Sequence, residues 1–276
     1  MTESNASSPC CGSAKEALEP CVVWDNRKTT TARLAILIPV HDDVRIFALL
    51  DALKTMVDDR VHLYILNDFQ PESFLHELPE PLQGVLFHSA RCWTIAAKTQ
   101  YLLDHATCEW RVIVESDALP HKDWLSEIFH IMENGDPACV HQGGEIFRKV
   151  RTLNNILTHR HLRAPRHPGE VQAANDIAWF LACDEAGIPV VAHDVEAILF
   201  HDRRPLEGDM RFIQYARDNA RLAIRYPKAA PLKRRVLAEG YYLVRGLVSL
   251  PVLLACYAAG RMQLFYESLW KGRRVK

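Results

Sequence analysis

Apolar and polar positions alternate along this chain in blocks of strand and helix length. Residues 33–40 (RLAILIPV) form a continuous apolar run ending next to Pro39, the pattern of a strand buried on both faces. Over residues 43–57, Ile46, Leu49, Leu50, Leu53 and Val57 recur at helical spacing. A second strand is predicted at 61–66 (VHLYIL), then a Pro-punctuated stretch with Pro71, Pro79 and Pro81, and a third short strand at 84–88. A helix over about 92–105, a strand at 110–115 and a helix at 124–132 follow. Strand and helix alternate at the length of crossover units, which predicts an α/β fold with a mostly parallel sheet and helices on both faces.

In such a sheet, ligands sit beyond the carboxyl ends of the strands. The polar residues expected there are His41-Asp42-Asp43, then Asn67-Asp68, then Glu115-Ser116-Asp117. Side chains at i and i+2 of a strand share a face, so Glu115 and Asp117 could converge on one hard cation such as Mg2+ or Mn2+. Each cluster also has a plainer reading as a turn or helix cap, and Asp42 or Asp43 suits an N-cap. Their recurrence along one edge of the sheet favours a shared crevice.

Residues 141–171 are rich in Arg, His, Pro and Gly without clean periodicity, and read as a loop-bearing region over that crevice with Gly143-Gly144 as a hinge or a plain turn. Asn175 then caps a helix with Ile177, Phe180 and Leu181 facing inward, stopped by Gly187 before Pro189. Asp176 falls in the first turn, where the helix dipole favours its ionised form, and can serve either as a general base or simply as a partner for the helix end. A last strand is predicted at 195–200, running into His201.

The 276 residues carry a net charge of −1, but the balance is uneven. Residues 203–276 hold 16 Lys+Arg against 5 Asp+Glu, leaving 17 against 29 for residues 1–202. The two parts are expected to do different jobs. Within the basic tail, the uncharged stretch 246–260 contains Pro251 and is shorter than the roughly 20 residues of a membrane span. It suits an interfacial helix attracted to anionic lipid, or equally a helical subdomain packed on the core or on a second subunit. A nucleic-acid surface is disfavoured because no recognition motif accompanies the charge. The eight cysteines lack C-x-x-C spacing and fit reduced thiols in a cytoplasmic protein, and the first twenty residues show no apolar run of a signal peptide.

The ordered set PVHDD, ILNDFQPESF, VIVESDALPHKDWL, NDIAWFLACDEAG and LFHD resembles the inverting nucleotide-sugar glycosyltransferases of family 2, which have the GT-A fold. The resemblance spans about residues 33–202. It implies a flexible extension at 1–30, a GT-A domain at 31–205 and a basic amphipathic helical region at 206–276. By this resemblance His41 and Asp42 border the nucleotide base, Asp68 contacts it, and Lys98 lies near the basic position that accompanies the diphosphate. Asp117, helped by Glu115, would bind the metal, His201 would add a ligand, and Asp176 would deprotonate the acceptor hydroxyl. Glu115 stands where the family has Asp, Asn67 and Phe69 alter the second loop, and Asn175 replaces the acidic partner of the base.

The activity so implied is metal-dependent transfer of a sugar from a nucleoside-diphosphate sugar to a saccharide or lipid-linked hydroxyl acceptor. It would act on the cytoplasmic side, with peripheral membrane contact through 241–276 or assembly as a homodimer. A nucleotidyltransferase would need a Gly-rich basic loop after the first strand, which PVHDD lacks. The other class is a catalytically degenerate scaffold that keeps the fold, binds nucleotide and recruits partners to the membrane.

Overall fold

The computed structural model describes residues 19–28, 31–41, 43–68, 75–90, 93–143, 155–167, 175–193, 222 and 226. The chain divides into two compact units, one of residues 1–170 with 175–201, the other of 171–174 with 202–276. Of the second unit only Leu222 and Tyr226 are described; both are buried, and the Tyr226 N–H donates to the Leu222 carbonyl at 2.8 Å. The tail at 206–276, the interfacial stretch within it and the strand expected at 195–200 otherwise lie outside the described residues.

The first unit is built on one eight-stranded sheet. Its strands are β1 (Cys21–Asp25), β2 (Leu34–His41), β3 (Val61–Asp68), β4 (Gly84–Ser89), β5 (Trp110–Ile113), β6 (Val140–Gly143), β7 (Ile156–His159) and β8 (Val190–His193). The helices are α1 (Ile46–Lys54), α2 (Ile95–His105), α3 (Trp124–Asn134) and α4 (Asn175–Glu185). The strand order is β1-β4-β3-β2-β5-β7-β6-β8. Its centre, β4-β3-β2-β5, is wholly parallel. β1 adds antiparallel to β4, β7 lies antiparallel to both β5 and β6, and β8 is parallel to β6. The expected parallel sheet is thus the middle of a mixed one.

Successive residues of a strand point to opposite faces, and the unbroken apolar run of β2 feeds two cores for that reason. Leu34, Ile36, Ile38 and Val40 join Leu49 and Leu53 of α1 and Ile128 and Met132 of α3 on one face. Ala35 and Leu37 join Leu102 of α2 and Trp179, Phe180 and Cys183 of α4 on the other.

Three sequence expectations need correction. Residues 21–25 are not part of a flexible extension, because their backbone completes the outer edge of β4 from Cys21 opposite His88 to Asp25 opposite Val85. The region 141–171 is not all loop: β6 and β7 enter the sheet there, too short and too polar (VHQG, ILTH) to show a strand period. Gly143 is accordingly a strand residue, and Gly144 lies outside the described set. On α4 the buried face is Ala178, Trp179, Phe180 and Cys183, with Ile177 and Leu181 only partly buried. The Gly187 stop is as expected. It sits at φ +69°, donates its N–H to Asp184 O at 3.2 Å, and lets the Ile188 N–H reach Cys183 O at 2.9 Å, the double closure of a Schellman motif.

Candidate functional site

The carboxyl ends of β2, β3 and β5 carry two ionic clusters. The first is sealed. Asp68, the last residue of β3, accepts a hydrogen bond from Lys98 Nζ at 2.7 Å on Oδ1 and from the Trp93 N–H at 2.6 Å on Oδ2. Lys98 projects from α2, whose start is capped by Thr94 Oγ1 accepting from the Ala97 N–H at 3.1 Å, and donates also to Val40 O at 2.5 Å. Both side chains are 0 % exposed. The charge is compensated inside the protein, as a buried ion must be. The family resemblance set Asp68 against the nucleobase and Lys98 near the diphosphate; here the two charged groups meet each other, the Trp93 N–H and the Val40 carbonyl. Together they tie the ends of β2 and β3 to α2.

The second cluster is open. β5 ends at Ile113, Val114 makes one further bond to Leu37 O at 2.9 Å, and the chain turns where the Ala118 N–H meets Glu115 O at 3.0 Å. Glu115 and Asp117 therefore stand in a turn and not on a strand face, because the strand closes two residues earlier than its apolar run suggests. Ser116, buried between them, donates from Oγ to Asp43 Oδ2 at 2.9 Å. Asp43 also accepts from Arg45 Nε at 2.8 Å, Arg45 Nη2 at 2.9 Å and the Arg45 N–H at 3.1 Å. The same guanidinium places Nη1 3.2 Å from Asp117 Oδ2. Burial raises the Asp43 carboxyl, but the bonds from Arg45 and Ser116 outweigh it and hold the group below its ordinary range, so Asp43 remains an anion.

The turn is braced from behind. Trp124, which opens α3, donates Nε1 to Asn155 Oδ1 at 2.8 Å, and the Asn155 N–H donates to Ile113 O at 2.7 Å. Asn155 adopts φ +62°, a left-handed conformation that Asn tolerates better than most residues. Trp124, four residues after Pro120 in the VIVESDALPHKDWL segment, thus fixes the strand end from which the acidic turn departs.

Asp176 stands in the first turn of α4, with Oδ1 accepting from the Ile177 N–H at 2.8 Å. Burial pushes its carboxyl up to about 6, against which the backbone hydrogen bonds pull only partly. His41 ends β2; Asp42 and His201 lie outside the described residues. Arg45 was not legible as a site residue, although the Asp-x-Arg spacing that produces its pairing with Asp43 is visible in the sequence.

Carboxylate oxygens on a turn at this edge suit a hard divalent ion. Among the described residues no three His, Cys, Asp or Glu side chains gather closely enough to hold one. Mg2+ and Mn2+ commonly complete their coordination with water and substrate phosphate, so Asp117 with Glu115 fits that group.

The sheet order, the two helical layers and the acidic turn after the central parallel strands define a GT-A-type glycosyltransferase fold. A mannosyltransferase from Pyrobaculum calidifontis, solved with GDP-mannose and Mn2+, superposes at TM-score 0.59 with 21 % identity over 85 % of this chain and 76 % of that one. TarS residues 1–349 of S. aureus with UDP-GlcNAc gives 0.54, 12 % identity, and 77 % and 72 % coverage. Glucosyl-3-phosphoglycerate synthase of Mycobacterium tuberculosis with Mn2+, UDP and phosphoglyceric acid gives 0.51, 15 % identity, and 69 % and 78 % coverage. No family model and no curated protein matches the sequence itself. No helix among the described residues is long and apolar enough to cross a membrane.

Proposed function

We propose that the chain is a metal-dependent inverting glycosyltransferase that moves a sugar from a nucleoside-diphosphate sugar to a hydroxyl acceptor. The observation that carries this reading is the Glu115-Ser116-Asp117 turn at the carboxyl edge of the parallel strands, gathered with Asp43 and Arg45 into one partly exposed ionic cluster. The three solved structures named above share the fold and were determined with nucleotides or nucleotide sugars, two of them with Mn2+. Asp117, with Glu115, would hold the divalent ion, and His201 is a further candidate ligand. When bound, such an ion neutralises the charge that develops on a departing diphosphate.

Asp176 is the candidate base. An acceptor hydroxyl is a poor nucleophile until a carboxylate takes its proton, and a carboxyl raised to about 6 is both ionised at neutral pH and more basic than an ordinary Asp. Attack from the side opposite the leaving diphosphate would invert the anomeric carbon. His41, which ends β2, and Asp42, next to it in the sequence, are the candidates to border the nucleotide base.

The acceptor we infer is a growing polysaccharide, a glycolipid or a related conjugate, reached from the cytoplasmic face of a membrane. What supports this is the basic surplus of residues 203–276, which would draw the chain to anionic lipid, either directly or as a homodimer. The test is release of nucleoside diphosphate from a panel of UDP- and GDP-sugars with Mn2+, using the full chain and Asp117→Asn. The substitution is expected to cost at least about 100-fold in turnover. Unchanged turnover in Asp117→Asn would remove the metal role. No turnover or metal-dependent thermal shift with any nucleotide would leave a GT-A-fold scaffold.

A further inference from the structure

We propose that Arg45 is a resident counter-ion of the metal seat, a positioning residue that holds Asp117 charge-compensated until a divalent cation takes its place. This inference rests on the reading of Asp117 as a metal ligand.

The local motif behind it occurs three times in the described chain. Asp25-x-Arg27, Asp43-x-Arg45 and Asp58-x-Arg60 each fold so that the Arg N–H and the guanidinium both bond the Asp two residues earlier. Arg27 spends its remaining reach on the Tyr64 hydroxyl, at 3.1 Å, and Arg60 lies 4.1 Å over the ring of Phe129. Arg45 alone of the three extends to a second carboxylate, Asp117.

The manner of attachment makes the contact exchangeable. Nε, Nη2 and the backbone N–H anchor Arg45 to Asp43, while Nη1 meets Asp117 at the longer 3.2 Å. Losing Asp117 therefore costs Arg45 the Nη1 contact and leaves its three bonds to Asp43 in place. The Arg45 side chain is 37 % exposed, and an ion pair that wet is weak. Asp43, Asp117 and Arg45 together sum to −1; without the guanidinium the same pair of carboxylates carries −2, before Glu115 is counted. An incoming cation thus meets a site whose attraction Arg45 has already partly spent. Asp43 itself stays anionic, held by Ser116 as well as by Arg45, so the guanidinium has somewhere to remain after it releases Asp117.

The consequence runs opposite to that of an ordinary structural arginine. Removing Arg45 should strengthen cation binding, not weaken it. Mn2+ binding to the full chain without nucleotide, followed through the paramagnetic resonance signal of the free ion, is expected to tighten by about ten-fold in Arg45→Gln. Arg45→Lys keeps the charge but not the fork and should fall between that variant and the wild type. The Mn2+-induced rise in melting temperature should follow the same order. Equal or weaker Mn2+ binding in both Arg45 variants would overturn the proposal and make Arg45 an organiser of the seat. Failure of the underlying reading has a different signature: Asp117→Asn would then bind Mn2+ as the wild type does.

Discussion

Asp68 and Asp117 stand at the ends of β3 and just beyond β5, the two strands that flank β2, and each meets a cation within 3.2 Å. They differ in water. Asp68 and Lys98 are both 0 % exposed and 2.7 Å apart, whereas Asp117 is 15 % exposed and its partner Arg45 37 %. A sealed pair cannot give up a partner without leaving a bare charge in the core; a wet pair exchanges its partner cheaply. From the sequence the two acids look alike, as polar residues following apolar strands, and burial is what separates them: one is closed off with its counter-ion, the other lies within reach of water.

The sharpest way to break this contrast is Lys98→Met, which keeps the volume near that of lysine and strips Asp68 of its counter-ion. Removing one partner of a buried pair typically costs about 3–5 kcal/mol. Chemical denaturation of the variant should show a loss of that order, and the loss of the Val40 O contact adds to it. A loss under about 1 kcal/mol would place Lys98–Asp68 in the same class as the exposed pair.

Asp176 sharpens the contrast from a third position, a carboxylate at a helix start that accepts from the Ile177 N–H. Its folded carboxyl lies near 6 against 3.8 for the ordinary group, so the native state holds the proton more tightly than the unfolded chain. The corresponding stability is present below pH 4 and lost as pH rises through 6, up to about 3 kcal/mol in all. Asp176→Asn should erase that slope and be the more stable protein at pH 7. Its turnover should fall by roughly 100- to 10,000-fold, with the wild-type rate climbing through about pH 6 as the base ionises. A variant that keeps both the slope and the acid limb of the rate would move the base elsewhere.

What was readable in advance follows the physics of each element. β2 and β3 announce themselves because strands buried on both faces have no polar positions, and α1 because Ile46, Leu49, Leu50 and Leu53 mark one stripe. β1, β6, β7 and β8 are four or five residues each, and their register is set by neighbours in the sheet, which no local pattern encodes. Of the site, the acidic turn was legible and its company was not. Asp117 meets Arg45 from seventy-two positions away, and Ser116 meets Asp43 from seventy-three, contacts created only when β5 lies down beside β2. The pairing of Asp68 with Lys98 was hidden for a related reason: a sequence motif gives residue type and order, while their engagement with Trp93 and Val40 is a matter of packing.

The smallest effect is the most discriminating. If Asp117 is held in readiness by an exchangeable contact, Asp117→Asn should leave the fold almost untouched, because the pair it breaks is partly solvated and Arg45 retains its bonds to Asp43. The expected stability change is about 1 kcal/mol or less, read from the denaturant midpoint at constant slope. Asparagine preserves the shape and can still accept from the guanidinium, so the turn between Glu115 and Ala118 has no reason to open. A residue whose loss removes activity while sparing the fold is one whose interactions are kept for a ligand. A loss approaching that of Lys98→Met would instead mean that Asp117 belongs to the scaffold, and that the cation it prefers is Arg45.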